Sequence, residues 1–161
     1  MNRIINNIKV LNTIVAKLKN KSKKIVFTNG CFDIIHAGHV IYLNKAKKLG
    51  DILIVGLNSD SSVKKLKGND RPIIIEDDRA YIISNLKPVD FVVIFNDNTP
   101  YNLINEIKPD YLVKGSDYKN KEIAGSDIVK SYGGQVVLID YVNEKSTTNI
   151  IDKIKKINSS S

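Results

Sequence analysis

Five short apolar runs constrain this chain more than any other feature: Ile25-Val26-Phe27, Ile52 to Leu57, Phe91 to Phe95, Tyr111-Leu112-Val113 and Val136 to Ile139. None alternates apolar with polar residues, as a strand with one wet face would. Continuous runs of this length suit strands covered on both faces. Helix-spaced apolar residues separate them: Val40, Leu43, Ala46 and Leu49 after the first run, then patterns over roughly 77–86, 100–107 and 125–132. Strands alternating with helices call for right-handed crossovers. The expectation is therefore one Rossmann-like α/β domain, a doubly wound five-stranded parallel sheet with helices on both faces. On such sheets ligands bind beyond the carboxyl ends of the strands, where the winding reverses.

At 161 residues the chain has length for one substantial core. Ile4, Ile8, Leu11, Val15 and Leu18 alternate spacings of four and three, so residues 1–22 read as an N-terminal amphipathic helix. So few heptads are marginal for self-association. Packing on its own domain is the expected role of that helix, and a homodimer contact is the alternative. Residues 23–158 form the domain proper and 159–161 a frayed serine tail. Thr99 before Pro100 marks a helix start with proline in the first helical position.

The net charge of +8 comes from 25 basic against 17 acidic residues, mostly scattered lysines. Solvated surface and a cleft for phosphates account for it. Without an aromatic-interleaved basic stripe, no nucleic-acid partner is expected. One cysteine excludes an internal disulfide. No run is long enough to span a membrane and no signal peptide opens the chain, so a cytoplasmic protein without a membrane partner is expected.

Between the first strand and its helix lies a polar stretch from Thr28 to His39. Gly30 and Gly38 let backbone approach whatever binds there. A helix N-terminus offers unpaired N–H groups and a positive dipole end, which favour an anion, phosphate above all. The chain's only two histidines, His36 and His39, stand one helical turn apart at that same end. Two readings compete with a phosphate site. A metal centre would have only Cys31 as a further soft ligand, short of the four that structural zinc uses, so no protein-bound metal is expected. The other reading is two ordinary surface histidines. Neither G-x-x-x-x-G-K-[ST] nor G-x-G-x-x-G occurs, which argues against a P-loop kinase and a standard dinucleotide dehydrogenase.

Three further stretches would complete a phosphate pocket. Lys64 to Pro72 is a basic loop, either solvated surface or a lid over a triphosphate. Arg79 opens the next helix and reads equally as a surface ion pair. Ser146-Thr147-Thr148 begins the last helix, whose apolar face is Ile150, Ile151, Ile154 and Ile157. One hydroxyl there is an ordinary N-cap, while three leave spare donors for a second anion site.

Gly30-Cys31-Phe32-Asp33 followed by His36-Ala37-Gly38-His39 resembles the paired signature of the cytidylyltransferase-like nucleotidyltransferases. Five further stretches look like one branch, the D-glycero-D-manno-heptose 1-phosphate adenylyltransferases. They are Asn58-Ser59-Asp60, Leu66-Lys67-Gly68 with Arg71-Pro72, Val113 to Tyr118, Ile123 to Ser126, and Ser146 to Ile151. That activity is often half of a bifunctional protein with a heptose-phosphate kinase. No kinase half occurs here, so the resemblance is to the standalone form. Ser116 stands where the branch has a second glycine.

The resemblance implies transfer of an adenylyl group from ATP to a sugar 1-phosphate, with release of pyrophosphate and formation of ADP-heptose for lipopolysaccharide or other surface glycans. The acceptor's phosphate oxygen attacks the α-phosphorus in line, so no enzyme nucleophile is needed. His36 and His39 would stabilise the α-phosphate, and Lys67, with Lys65, the leaving pyrophosphate. Thr28, Asn29, Gly30 and Phe32 would form the turn beneath the nucleotide. Asp33 would order that turn or meet the sugar, with Arg71 and Arg79 also on the acceptor's side. Lys114, Gly115 and Asp117 would lie near the nucleoside, and Ser146, Thr147 and Thr148 near the β- and γ-phosphates. Mg2+ would arrive with the triphosphate. The same histidine signature serves glycerol-3-phosphate cytidylyltransferases and flavin-nucleotide adenylyltransferases, and a non-catalytic nucleotide-binding module is the alternative of another class.

Overall fold

Continuous apolar runs make strands that must be buried on both faces, and the computed structural model, which describes residues 3–140 and 147–159, has that arrangement. Its strands are β1 (Ile4–Ile5), β2 (Ile25–Gly30), β3 (Ile52–Asn58), β4 (Phe91–Phe95), β5 (Tyr111–Gly115) and β6 (Gln135–Ile139). Its helices are α1 (Ile8–Asn20), α2 (Ala37–Lys47), α3 (Asp60–Lys67), α4 (Glu76–Ser84), α5 (Tyr101–Ile107), α6 (Ser126–Ser131) and α7 (Thr147–Ser159). All strands are parallel, in the order β1-β4-β3-β2-β5-β6. The sheet is six-stranded rather than five-stranded. Ile4 and Ile5, read from sequence as the start of a helix, pair instead with Val92 and Val93. A two-residue strand is too short to carry a period of its own. The helix begins at Ile8, after Asn7 caps it by accepting the Lys9 amide at 2.8 Å.

Side chains alternate along each strand, so the sheet divides the core into two layers. Phe27, Ile54 and Leu112 face α1, α5 and α6, packing with Leu11, Val15, Ile104 and Val129. Val26, Val55 and Val92 face the other way, against Leu43 and Ala46 of α2 and Ala80 and Ile83 of α4. Each fully buried side chain of this size stabilises the fold by about 1.5–3 kcal/mol. At the amino ends of the strands three aspartates fix the starts. Asp51 accepts from the Lys24 amide, Asp110 from the Ile25 amide and Asp90 from the Leu53 amide.

The chain lays down β2, β3 and β4 towards one edge, then returns across the sheet to place β5 and β6 on the other side of β2. Thr28 lies opposite both Val55 of β3 and Val113 of β5. The winding therefore reverses between β2 and β5, and the crevice beyond their carboxyl ends is the natural ligand site.

Local expectations shift in three places. Lys64 to Lys67, read as loop, form the last turn of α3, because the Ser59 hydroxyl accepts the Ser62 amide and starts a helix there. Pro100 caps α5 rather than occupying its first helical position. Ser159, assigned to a frayed tail, is the last residue of α7, and 160–161 lie outside the described residues. Among the described residues no helix is long and apolar enough to cross a membrane.

Candidate active site

The turn after β2 owes its shape to Phe32. Its φ of 46° is left-handed, a conformation that costs a side-chain-bearing residue energy unless packing compensates. The ring is 6 % exposed and lies so close to Gly30 that a Cβ there would come within 3.0 Å of it. It also meets the His39 ring, with centroids 5.2 Å apart. A side chain at Gly30 would thus crowd the aromatic ring.

The turn delivers the chain into α2 with His36 at the N-cap, in extended backbone conformation and without a side-chain cap. The His39 amide donates to the His36 carbonyl at 2.9 Å, and the Ala37 and Gly38 amides ahead of it keep their capacity to hold an anion. The two imidazoles stack, with centroids 3.9 Å apart and planes inclined by 25°. His39 Nδ1 is buried with no hydrogen-bond partner among the described residues. Burial, with the neighbouring His36, pulls the His39 pKa from 6.5 down to about 4. Without a ligand the ring is neutral at pH 7, and a phosphate beside it would reverse that balance.

These groups open into a cleft of about 530 Å³ over the carboxyl ends of the strands. From the turn come Asn29, Gly30, Phe32 and Asp33, and from α2 His39. Lys67 and Arg71 stand on one wall. Lys114 and Gly115 come from the end of β5, Asp117 from the 3-10 turn Ser116–Tyr118 that follows it, and Thr147 and Thr148 from the start of α7. The Thr147 hydroxyl donates to the Ile34 carbonyl at 3.2 Å, which joins the two helix starts. Ser146 lies outside the described residues.

Five residues singled out from sequence hold other posts. Thr28 is fully buried and shares a hydrogen bond with the Tyr42 hydroxyl at 2.8 Å. His36 does not line the cleft but stacks on His39, which does. Lys65 is exposed on α3, outside the cleft. Arg79, read as an acceptor contact or a surface ion pair, is neither. It is 0 % exposed, and its guanidinium donates to the carbonyls of Ile74 (2.8 Å), Cys31 (2.5 Å) and Asn58 (2.8 Å) and to Asp60 (2.7 Å). It binds the ends of β2 and β3 to the segment before α4, because α4 begins directly beneath them. Asp33, placed between a turn-ordering and a sugar-binding role, has its carboxylate filled by the Ile73 amide (2.9 Å), the Ile74 amide (2.9 Å) and Arg71 Nε (2.6 Å). Burial pushes its pKa up, but those amides and the guanidinium hold it below the usual carboxylate range. It latches the loop carrying Arg71 onto the turn.

Several lining residues escape a reading of the sequence, among them Tyr42, Asn58, Asn98, Thr99 and Glu122. Asn58 ends an apolar run, and nothing beyond its place in a motif marks it. Asn98 and Thr99 follow β4 and carry no signal beyond a helix start. Burial holds the Cys31 thiol above its ordinary pKa, although Lys67, Arg79 and Arg71 oppose this, so it is no ready nucleophile. Among the described residues no three His, Cys, Asp or Glu side chains gather as a metal would need.

A dipole tip, a stacked imidazole pair, lysines and hydroxyls around one cleft make an anion site suited to several phosphates. The sequence model described as Cytidylyltransferase-like matches residues 27–159. A bifunctional protein named HldE from a Nitratiruptor species is 57 % identical over 151 residues, 94 % of this chain and 32 % of that protein. The protein of the same name from Campylobacter concisus is 65 % identical over 133 residues, 83 % of this chain and 27 % of that protein. The chain thus spans about a third of the length of these curated relatives. A lipopolysaccharide core biosynthesis protein from Thermoplasma volcanium superposes with a TM-score of 0.61 at 32 % identity, over 76 % of this chain and 99 % of that one. A pantoate-beta-alanine ligase from Francisella tularensis shares the fold at 17 % identity, with a TM-score of 0.66 over 96 % of this chain and 77 % of that one. Profile, relatives and the histidine-bearing turn agree, and the chain belongs to the cytidylyltransferase-like family.

Proposed function

We propose that the protein is a D-glycero-D-manno-heptose 1-phosphate adenylyltransferase, acting in the cytoplasm to make ADP-heptose for lipopolysaccharide or another surface glycan. The observation that carries this reading is the uncapped start of α2 with its stacked histidines at the reversal of the sheet, opening onto a basic cleft. The relatives named HldE and the lipopolysaccharide protein of similar fold support the choice of acceptor.

In this reaction an oxygen of the acceptor's phosphate forms a bond to the α-phosphorus of ATP. The bond from that phosphorus to the α,β-bridging oxygen breaks, and its electron pair leaves with pyrophosphate. No covalent enzyme intermediate arises, so catalysis is positioning and charge stabilisation. His39, backed by His36, bears on the α-phosphate, and the α2 amides hold the triphosphate in place. Lys67 neutralises the departing pyrophosphate, while Thr147 and Thr148 hold its outer oxygens. Mg2+ belongs to the nucleotide substrate, since it keeps its waters and leans on phosphate oxygens, and the described residues offer it no carboxylate cage.

Pyrophosphate release with ATP and D-glycero-D-manno-heptose 1-phosphate tests the reading, with CTP plus glycerol 3-phosphate and ATP plus flavin mononucleotide as parallel arms. Release in the first arm alone is the expected result. Release confined to another arm, or to none, overturns it.

A further inference from the structure

Lys114 is 6 % exposed, yet it lines the cleft. A buried ammonium is ordinarily matched by a carboxylate, because removal from water otherwise costs several kcal/mol. Lys114 forms no ion pair among the described residues. Its Nζ donates to Asn29 Oδ1 and lies 4.9 Å from the Tyr118 ring centroid, an amide oxygen and an aromatic face. An ammonium has three donors, and these contacts leave donor capacity on the side of the cleft. The other cleft cations are differently placed. Arg71 is already neutralised by Asp33, and Lys67 stands on the exposed end of α3. Lys114 is the penultimate residue of β5, one position beyond the last β2–β5 pair, Thr28 and Val113, at the reversal of the winding. A strand-end position is rigid, and a fold that keeps a costly unpaired cation there is holding it for a ligand anion.

We infer that Lys114 is a catalytic residue whose ammonium binds a phosphate oxygen at the reacting centre, either on the α-phosphate of the nucleotide or on the phosphate of the acceptor. Burial pulls its pKa from 10.5 to about 8, while Asp117 and Cys31 act in the other direction, and an incoming phosphate draws it back up. Asn29 then acts as its positioning partner and hands it to the ligand. The inference rests on the phosphoryl chemistry proposed above but not on the identity of the sugar.

The test uses the full chain with Lys114→Met. Binding of a non-hydrolysable ATP analogue with Mg2+, and separately of the sugar 1-phosphate, is measured by calorimetry, with inorganic phosphate as a sugar-independent probe. A urea titration accompanies each variant. A contact to the α-phosphate weakens the nucleotide arm tenfold or more. A contact to the acceptor weakens the sugar phosphate and inorganic phosphate arms by as much. Turnover falls at least about a hundredfold, the size seen for single charge-stabilising donors. The urea midpoint stays level or rises, whereas loss of a merely structural lysine lowers it. Retention of all three affinities within twofold overturns the inference, whatever the midpoint does. If Lys114→Met does not fold, Lys114→Gln, which can still donate to Asn29, carries the same measurements. A wild-type protein that binds nucleotide but rejects heptose 1-phosphate would sink the acceptor assignment while leaving the nucleotide and phosphate arms decisive for Lys114.

Discussion

Protons should enter this protein with the proposed nucleotide, and His39 is the reason. In the unliganded site burial and His36 hold the His39 ring neutral down to about pH 4. A triphosphate beside the ring favours the imidazolium and returns the pKa at least to its ordinary 6.5. The difference corresponds to roughly 3 kcal/mol at 1.36 kcal/mol per pH unit, available to binding only where the bound ring is charged and the free ring is not. That window runs from about pH 4 to 6.5. Affinity then rises about tenfold between pH 7.5 and 5.5, with close to one proton taken up at the lower pH. Calorimetry with an ATP analogue in two buffers of different ionisation enthalpy counts that proton. His39→Asn serves as the reference, since it shares the nucleotide's own protonation. Equal uptake in wild type and His39→Asn, or none in wild type at about pH 5.5, would refute the reasoning. The same shift acts on folding without ligand. The unfolded ring takes its proton near 6.5 and the folded ring only near 4, so stability is lost as pH falls through that window. The loss is nearer about 2 than 3 kcal/mol, because the ring is only partly buried and solvent screens it.

Other outcomes follow from single side chains. Arg79→Ala strands three carbonyls and Asp60, and should cost about 3–5 kcal/mol in urea unfolding; a loss below about 1 kcal/mol would show that the clamp carries little. Gly56→Ala places a Cβ 2.8 Å from the buried Phe27 ring, an overpacking worth about 1–3 kcal/mol, read as a lower melting temperature. Lys114→Met removes a burial penalty of roughly 3 kcal/mol and a hydrogen bond of about 1 kcal/mol, for a net gain near 2 kcal/mol. The penalty is complete below about pH 8 and fades towards 10.5, so the gain over wild type should vanish in urea titrations at high pH.

The sequence by itself determined the class of fold and singled out the turn around which the candidate site is built. Continuous apolar runs interrupted by helical spacing leave few architectures open, since each run must be covered twice. Two histidines one turn apart after such a run mark a helix start, and helix starts bind anions. These are local facts, set by period and by backbone chemistry. Tertiary structure decided what no local pattern carries. Ile4 and Ile5 became a strand because the β4 edge lay open to them. Arg79 became a buried clamp because α4 starts beneath the ends of β2 and β3, and Asp33 gave its carboxylate to Ile73 and Ile74, some forty positions further along the chain. Lys114 is set near the nucleoside by resemblance alone, and its burial and its partner appear only when β5 brings it to Asn29 of β2. Burial and partnership depend on which distant segments meet, and that is settled only when the winding reverses and brings them to one crevice.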